Sequence, residues 1–169
     1  MSARHQKGQS LVEFALVLTP MMLILLGIIQ FGFIFNAYVT LTNATREAAR
    51  EGSIYVYDRG LTKAQNDAAR NNRIRTALTS SMNLLTKTAP NFTTGSSWSQ
   101  TTQTFSNGDL TVAYVIPSGV TDAEPRTGQQ ITISAVYHQD LLIPIISALL
   151  PRDAGGRLAL TGEVTMVIN

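Results

Sequence analysis

Residues 8–35 read GQSLVEFALVLTPMMLILLGIIQFGFIF, an apolar run with a single acid, Glu13, near its start. From Phe14 to Phe35 only Thr19 and Gln30 carry polar side chains. At about 1.5 Å of rise per residue, roughly 20 residues cross a hydrocarbon core, so this run spans a bilayer with little to spare. A carboxylate at the edge of such a run is unusual, because a charge at membrane depth is costly and tends to be paired or functional. The leader MSARHQKG supplies the charges Arg4 and Lys7, and the next positive residue after the run is Arg46. The positive-inside rule therefore predicts a cytoplasmic amino end, with everything after Phe35 outside.

A cleaved secretory signal is the plain competitor. Its apolar core is about 7–15 residues long and is followed by a small-residue cleavage site. The present run is longer and no A-x-A site follows it closely. Pro20 has no amide hydrogen and is expected to kink or loosen the helix. Gly27 and Gly32 remove bulk and suit close contact with neighbouring helices. Glu13 itself has two readings. It can snorkel to the interface beside Lys7 and the positive end of the helix dipole. Alternatively, Gly8 is small enough to lie extended in a protease site. Cleavage after it leaves an ammonium on Gln9 that can pair with the Glu13 carboxylate of an adjacent subunit. Such a pair draws helices together and sets their axial register.

The segment 8–17, GQSLVEFALV, resembles the amino terminus of TadE-like proteins, minor pseudopilins of tight-adherence (Flp-type) pilus systems. Their start commonly reads G-Q-x-x-V-E-F-A before an apolar helix. Residues 43–52, NATREAAREG, are similar to the NAAREGAR stretch that often follows that helix. The resemblance covers about the first 50 residues, and the remainder agrees only in architecture. It implies cleavage between Gly8 and Gln9 by a prepilin peptidase, which makes Glu13 the fifth residue of the mature chain. Glu13 and Phe14 would then take part in subunit pairing. The implied partners are that peptidase, other pilin or pseudopilin subunits, the inner-membrane pilus assembly platform and membrane lipid. The implied location is the bacterial inner membrane, or a pilus built from it. TadF-like proteins share this start, whereas TadG-like proteins usually carry a much larger outer part. Gln9 stands where many type IV pilins have Phe, so the resemblance does not extend to methylation of the new terminus.

Beyond the span the helix is expected to continue to about Ser53, with Ala37, Leu41, Ala44 and Ala48 as one apolar stripe. Arg46, Glu47, Arg50 and Glu51 face elsewhere. A second helix is expected from about Thr62 to Leu85, opened by a Thr62–Gln65 capping box. Its buried side is read as Ala64, Ala68, Ile74, Leu78, Met82 and Leu85, interrupted by Asn71. Arg70, Arg73 and Arg75 form a small basic cluster, read as a solvated helix face or, alternatively, as a contact for lipid headgroups or an acidic partner. A polar linker, 86–100, contains Trp98, the only tryptophan, read as a core cap. Asn107-Gly108 marks a hairpin. Leu110, Val112, Tyr114 and Ile116 alternate after it, then Ile131, Ile133, Ala135 and Tyr137, and finally Leu158, Leu160, Val164, Met166 and Ile168. The expected architecture is α+β and pilin-like: a leader (1–8), a transmembrane helix (9–35), and an extracytoplasmic domain (36–169). That domain holds a second helix and an antiparallel sheet of about four strands. The apolar run 141–150 is too short to span a bilayer. It reads either as a short helix tucked against the core or as an interaction patch at Leu142, Ile143, Ile145, Ile146 and Leu149, meeting another subunit or the membrane surface.

Thirteen basic and eleven acidic residues give a net charge of +2, and the leader accounts for two of the basic ones. General nucleic-acid binding is therefore not expected. With no cysteine, disulfides and thiolate chemistry are excluded. His5 lies in the leader, and His138 shares a polar strand face with Thr132 and Ser134. No nucleophile elbow, phosphate loop or metal motif appears, so no catalysis and no cofactor are expected. Asp122 and Glu124 lack the regular oxygen spacing of a calcium loop. Asn43-Ala44-Thr45 and Asn91-Phe92-Thr93 match the glycosylation sequon. The competing function is that of a permanently anchored single-pass protein whose outer domain scaffolds a secretion complex or binds a ligand.

Overall fold

A computed structural model describes the backbone of residues 3–88, 97–122 and 125–169. It describes the side chains of the same residues other than 3–8, 84, 87, 88 and 145. The sequon at Asn91, Glu124, and the side chains of Arg4, Lys7 and Ile145 lie outside the described set. The first element, helix α1, runs Ala3–Ser53 and passes through Pro20 without interruption. Proline removes one amide donor there, and the neighbouring Thr19 hydroxyl bonds back to the Ala15 carbonyl at 3.0 Å. At the other end, Ile54 N donates to Arg50 O and the Ser53 hydroxyl bonds the same carbonyl. The helix ends where the sequence predicts it.

The chain forms two compact units. One joins the α1 residues up to Phe35 with Asp140–Leu158. The other comprises Asn36–Gln139 and Ala159–Asn169. This second unit holds the rest of α1, helix α2 (Lys63–Ser81) and a 3-10 segment (Asn83–Thr88). Its strands are β1 (Ser99–Thr101), β2 (Thr104–Asn107), β3 (Leu110–Val115), β4 (Gln130–Gln139) and β5 (Leu158–Val167), the last entering from Leu158. They form one antiparallel sheet in the order β1-β2-β3-β4-β5. The class is α+β, as expected, with five strands rather than four. β1 is the addition: three exposed polar residues whose pairing to β2 fixes a register that their own side chains do not signal.

The hairpin at Asn107-Gly108 is present, with Asn107 opposite Leu110 and Gly108 at φ 60°. Positive φ is the conformation glycine adopts without steric cost. The alternating residues form the buried sheet face: Leu110, Val112 and Tyr114 on β3, and Ile131, Ile133, Ala135 and Tyr137 on β4. Ala37, Leu41, Ala44 and Ala48 of α1 are buried in the same cluster, as are Ile74 and Leu78 of α2. Small side chains on α1 allow close approach. A Cβ placed at Gly162 of β5 would lie 2.7 Å from Thr45 Oγ1 and 3.2 Å from Leu41 Cγ. Trp98 packs at the edge of this core, its indole N–H donating to Asn72 Oδ1 at 2.9 Å.

Helix α2 departs from expectation in two ways. It stops at Ser81 and tightens into the 3-10 segment, instead of continuing to Leu85 as one α-helix. In its first half the buried face is polar. Asn66, Asp67, Arg70 and Asn71 are buried, whereas Ala64 and Ala68 are exposed. Arg70 is only 1% exposed, so it is not part of a solvated basic face. Most of the partners that make this burial tolerable come from other parts of the chain, Arg126 and Tyr55 from connecting segments and Tyr114 from β3.

Candidate functional site

On α1 the exposed surface is the feature to explain. Leu11, Val12, Phe14, Leu16, Val17, Ile24 and Ile28 are all well over half exposed. In water so large an apolar surface would drive association. The helix is long and apolar enough to cross a membrane, and in lipid this surface is already satisfied because the backbone bonds within the helix. At the start of the run Gln9 and Glu13 are one turn apart, both exposed, and Gln9 Nε2 donates to Glu13 Oε1 at 3.1 Å. Phe14 projects from the same turn and is 65% exposed. Thus the carboxylate and the first residue after the Gly8-Gln9 peptide bond share one helix edge. The Gly8 backbone is itself helical, so a protease requiring an extended substrate must first unwind this turn.

Further along, Gln30 is 1% exposed within this apolar stretch. Its Oε1 accepts from the Leu142 backbone N–H at 2.8 Å, and its Nε2 reaches the Asp140 carbonyl at 3.5 Å. The apolar run near residues 141–150 is thereby fastened to α1. It contains helix α3 (Pro144–Ser147), which begins with proline at its first turn, where a missing amide is harmless. Ile146 Cδ1 comes within 3.6 Å of a Cβ built on Gly27. A largely apolar hollow of about 290 Å³ is lined by Leu23, Ile24, Phe31, Ile146, Leu149 and Leu150. Of the sequence-derived patch, Ile146 and Leu149 thus line a hollow with α1. Ile143 N-caps α3, while Leu142 and Leu149 remain 68% and 81% exposed. The sequence reading assigned Gln30 no role. Its only advance signal was an amide among apolar residues.

In the second unit a charged core anchors α2. Arg126, fully buried, makes a two-pronged salt bridge to Asp67, with Nη1 on Oδ1 and Nη2 on Oδ2. It also donates from Nε to Asp122 Oδ1 at 2.7 Å. Lys63 bridges both acids, at 3.3 Å to Asp67 and 3.0 Å to Asp122. The Arg126 guanidinium lies 3.9 Å from the Tyr114 ring centroid, and Arg70 packs 5.0 Å from that of Tyr55. Burial acts to raise the Asp122 carboxyl, but the bonds from Arg126 and Lys63 prevail and hold it below its usual value. The Asp122 carboxylate is therefore engaged by cations. Burial pushes Tyr114 up to about 12, and its hydroxyl donates to Asn71 Oδ1 at 2.8 Å. This constellation is structural in character: its polar atoms face each other across a packed interior. His138 sits 3.5 Å from Asp109, and among the described residues no group of three or more potential ligands could hold a metal.

Residues 8–50 match the family model described as TadE-like protein. The match opens at Gly8, spans Glu13, and ends at Arg50 in the alanine-rich part of α1. It covers the first of the two stretches that carry the resemblance, 8–17, and all but the last two residues of the second, 43–52. No curated protein and no solved structure matches the chain.

Proposed function

We propose that this chain is a minor pilin-type subunit of a tight-adherence pilus system. A prepilin peptidase cleaves it between Gly8 and Gln9, and the subunit then works in pilus assembly through α1. The observation that carries the reading is the pairing of Gln9 and Glu13 on one exposed edge of an apolar helix, within the segment similar to TadE-like proteins. Cleavage creates an α-ammonium, whose ordinary pKa near 8 keeps it largely charged at neutral pH. Pairing it with Glu13 of a neighbour removes two unfavourable charges from the membrane edge at once. Side by side, exposed apolar faces of α1 then pack against one another.

In this reading the leader charges Arg4 and Lys7 hold the precursor's amino end in the cytoplasm, and the second unit is displayed outside the inner membrane. Its partners are the peptidase, other pilin or pseudopilin subunits, and the assembly platform. The polar core suits a stable cargo domain and supplies no reacting groups. The test is the mature amino terminus, read by mass spectrometry in cells with and without the prepilin peptidase. A chain beginning at Gln9 only when the peptidase is present is expected. A working protein that keeps its leader would identify a permanently anchored scaffold instead.

A further inference from the structure

The segment bracketed by Asp140 and Arg152 reads LLIPIISALLP and contains no charge. Its docking site on α1, from Leu23 to Phe31, lies in the later half of the apolar run. Chain at that depth is surrounded by hydrocarbon, where an unsatisfied backbone N–H or C=O is costly. Several of the segment's backbone groups are satisfied within this unit or lack a donor. Pro144 and Pro151 have no amide hydrogen, and the Leu142 N–H is taken by Gln30. Ser147, Ala148 and Leu149 donate to the carbonyls of Ile143, Pro144 and Ile146. The only polar side chain, Ser147, turns its hydroxyl onto the Pro144 carbonyl at 2.7 Å. Leu142 and Leu149 nevertheless remain exposed, and Leu149 shares its hollow with the exposed α1 residues Ile24 and Phe31. Arg152 and Arg157 follow at once, and a tight turn closes the excursion: Asp153 N donates to Arg157 O and Arg157 N to Asp153 Oδ1, both at 2.8 Å.

We infer that residues 141–151 form an interfacial wedge, seated among the acyl chains of the leaflet at the carboxyl-terminal end of the α1 span and pinned there by Gln30. The occupant of the exposed Leu142 and Leu149 surface is lipid, because that surface continues the lipid-facing surface of α1. The two arginines beyond it lie at headgroup level, where cationic side chains meet phosphate. The wedge is too short to cross the bilayer, so it returns to the same side. It gives the chain a second membrane attachment besides the α1 span. This inference rests on α1 spanning the membrane but not on cleavage or pilus assembly.

The chain has no cysteine, so a single introduced thiol is a unique label. The full-length protein, reconstituted in phosphatidylcholine–phosphatidylglycerol vesicles, is labelled with a fluorophore at Leu142→Cys or Leu149→Cys. Leu16→Cys serves as the span control and Ser118→Cys as the aqueous control. Acyl-chain-brominated lipid is expected to quench the labels at 142 and 149 as it quenches 16, with iodide effective only at 118. Iodide quenching at 142 and 149 equal to that at 118, with 16 still lipid-quenched, overturns the wedge. Loss of lipid quenching at 16 overturns the span itself, and so separates the two failures. Protection of 142 and 149 from both quenchers, with cross-linking between copies, assigns the surface to a second chain and overturns the lipid occupant. Adding Gln30→Leu, which keeps the helix apolar, is expected to shift the label at 142 toward iodide. An unchanged profile overturns Gln30 as the pin.

Discussion

Gln9 and Glu13 lie one turn apart on α1, with the Gln9 side-chain amide donating to the Glu13 carboxylate at 3.1 Å. This bond joins a neutral amide to the carboxylate and adds no opposite charge of its own. A terminal ammonium created at Gln9 is the stronger partner, since it adds the attraction of an opposite charge to the hydrogen bond.

Glu13→Ala is therefore expected to leave cleavage intact and to reduce co-assembly. The deficit in sheared pili should be on the order of tenfold, the ratio that corresponds to about 1.4 kcal/mol. Glu13→Gln separates charge from hydrogen bonding: it should fail nearly as badly. Immunoblots of sheared and membrane fractions measure both, and normal recovery of the Ala variant would count against pairing.

Asp67 and Arg126 are expected to be coupled in stability. Removing either one takes away the other's main partner, leaving Arg126 to Asp122 or Asp67 to Lys63, and should cost up to about 3 kcal/mol. Asp67→Ala with Arg126→Met should lose markedly less than the sum of the single changes. Denaturant unfolding followed by Trp98 fluorescence gives these values, and additive losses would contradict the coupling.

The same region sets a pH window with opposite signs at its two ends. Asp122 is held below its unfolded value, near 3.9, so its contribution is present above that pH and disappears as pH falls through the lower folded value. Tyr114 is raised to about 12, so stability is retained up to its unfolded value near 10. As pH climbs from there to about 12, roughly 3 kcal/mol is lost. Tyr114→Phe should flatten the alkaline limb in a pH series of unfolding midpoints, at the expense of the Asn71 hydrogen bond.

Gly162→Ala should push β5 away from α1, because its Cβ meets Thr45 Oγ1 at 2.7 Å. Overpacking of this kind typically costs about 1–3 kcal/mol. Combining it with Thr45→Ala removes the nearest clash and should recover part of the loss in thermal unfolding. No recovery would place the strain elsewhere.

The elements that were legible in the sequence are those whose partner is another apolar surface. The Ala37–Leu41–Ala44–Ala48 stripe and the alternation through Leu110–Tyr114 and Ile131–Tyr137 state their own burial, whatever they pack against. The Thr62–Gln65 capping box and the Asn107-Gly108 turn are local, so they too were readable. The buried face of α2 is not legible because charged residues such as Arg70 look solvent-facing, and Asp67 carries no signal, until Arg126, Tyr55 and Tyr114 are brought to them from other parts of the chain. Gln30 was overlooked for a related reason. Its partners are backbone groups of Asp140 and Leu142, which every residue type possesses, so no pattern marks them. Strand β1 was missed because its three polar residues owe their pairing to the free edge of β2.

The most direct test of the account is the intact mass and terminal sequence of the membrane-extracted protein, compared between wild type and Gly8→Leu in cells that express the prepilin peptidase. The account predicts that the wild-type chain starts at Gln9 and that the variant persists as full-length precursor. A wild-type protein still carrying residues 1–8 while pili assemble normally would contradict it.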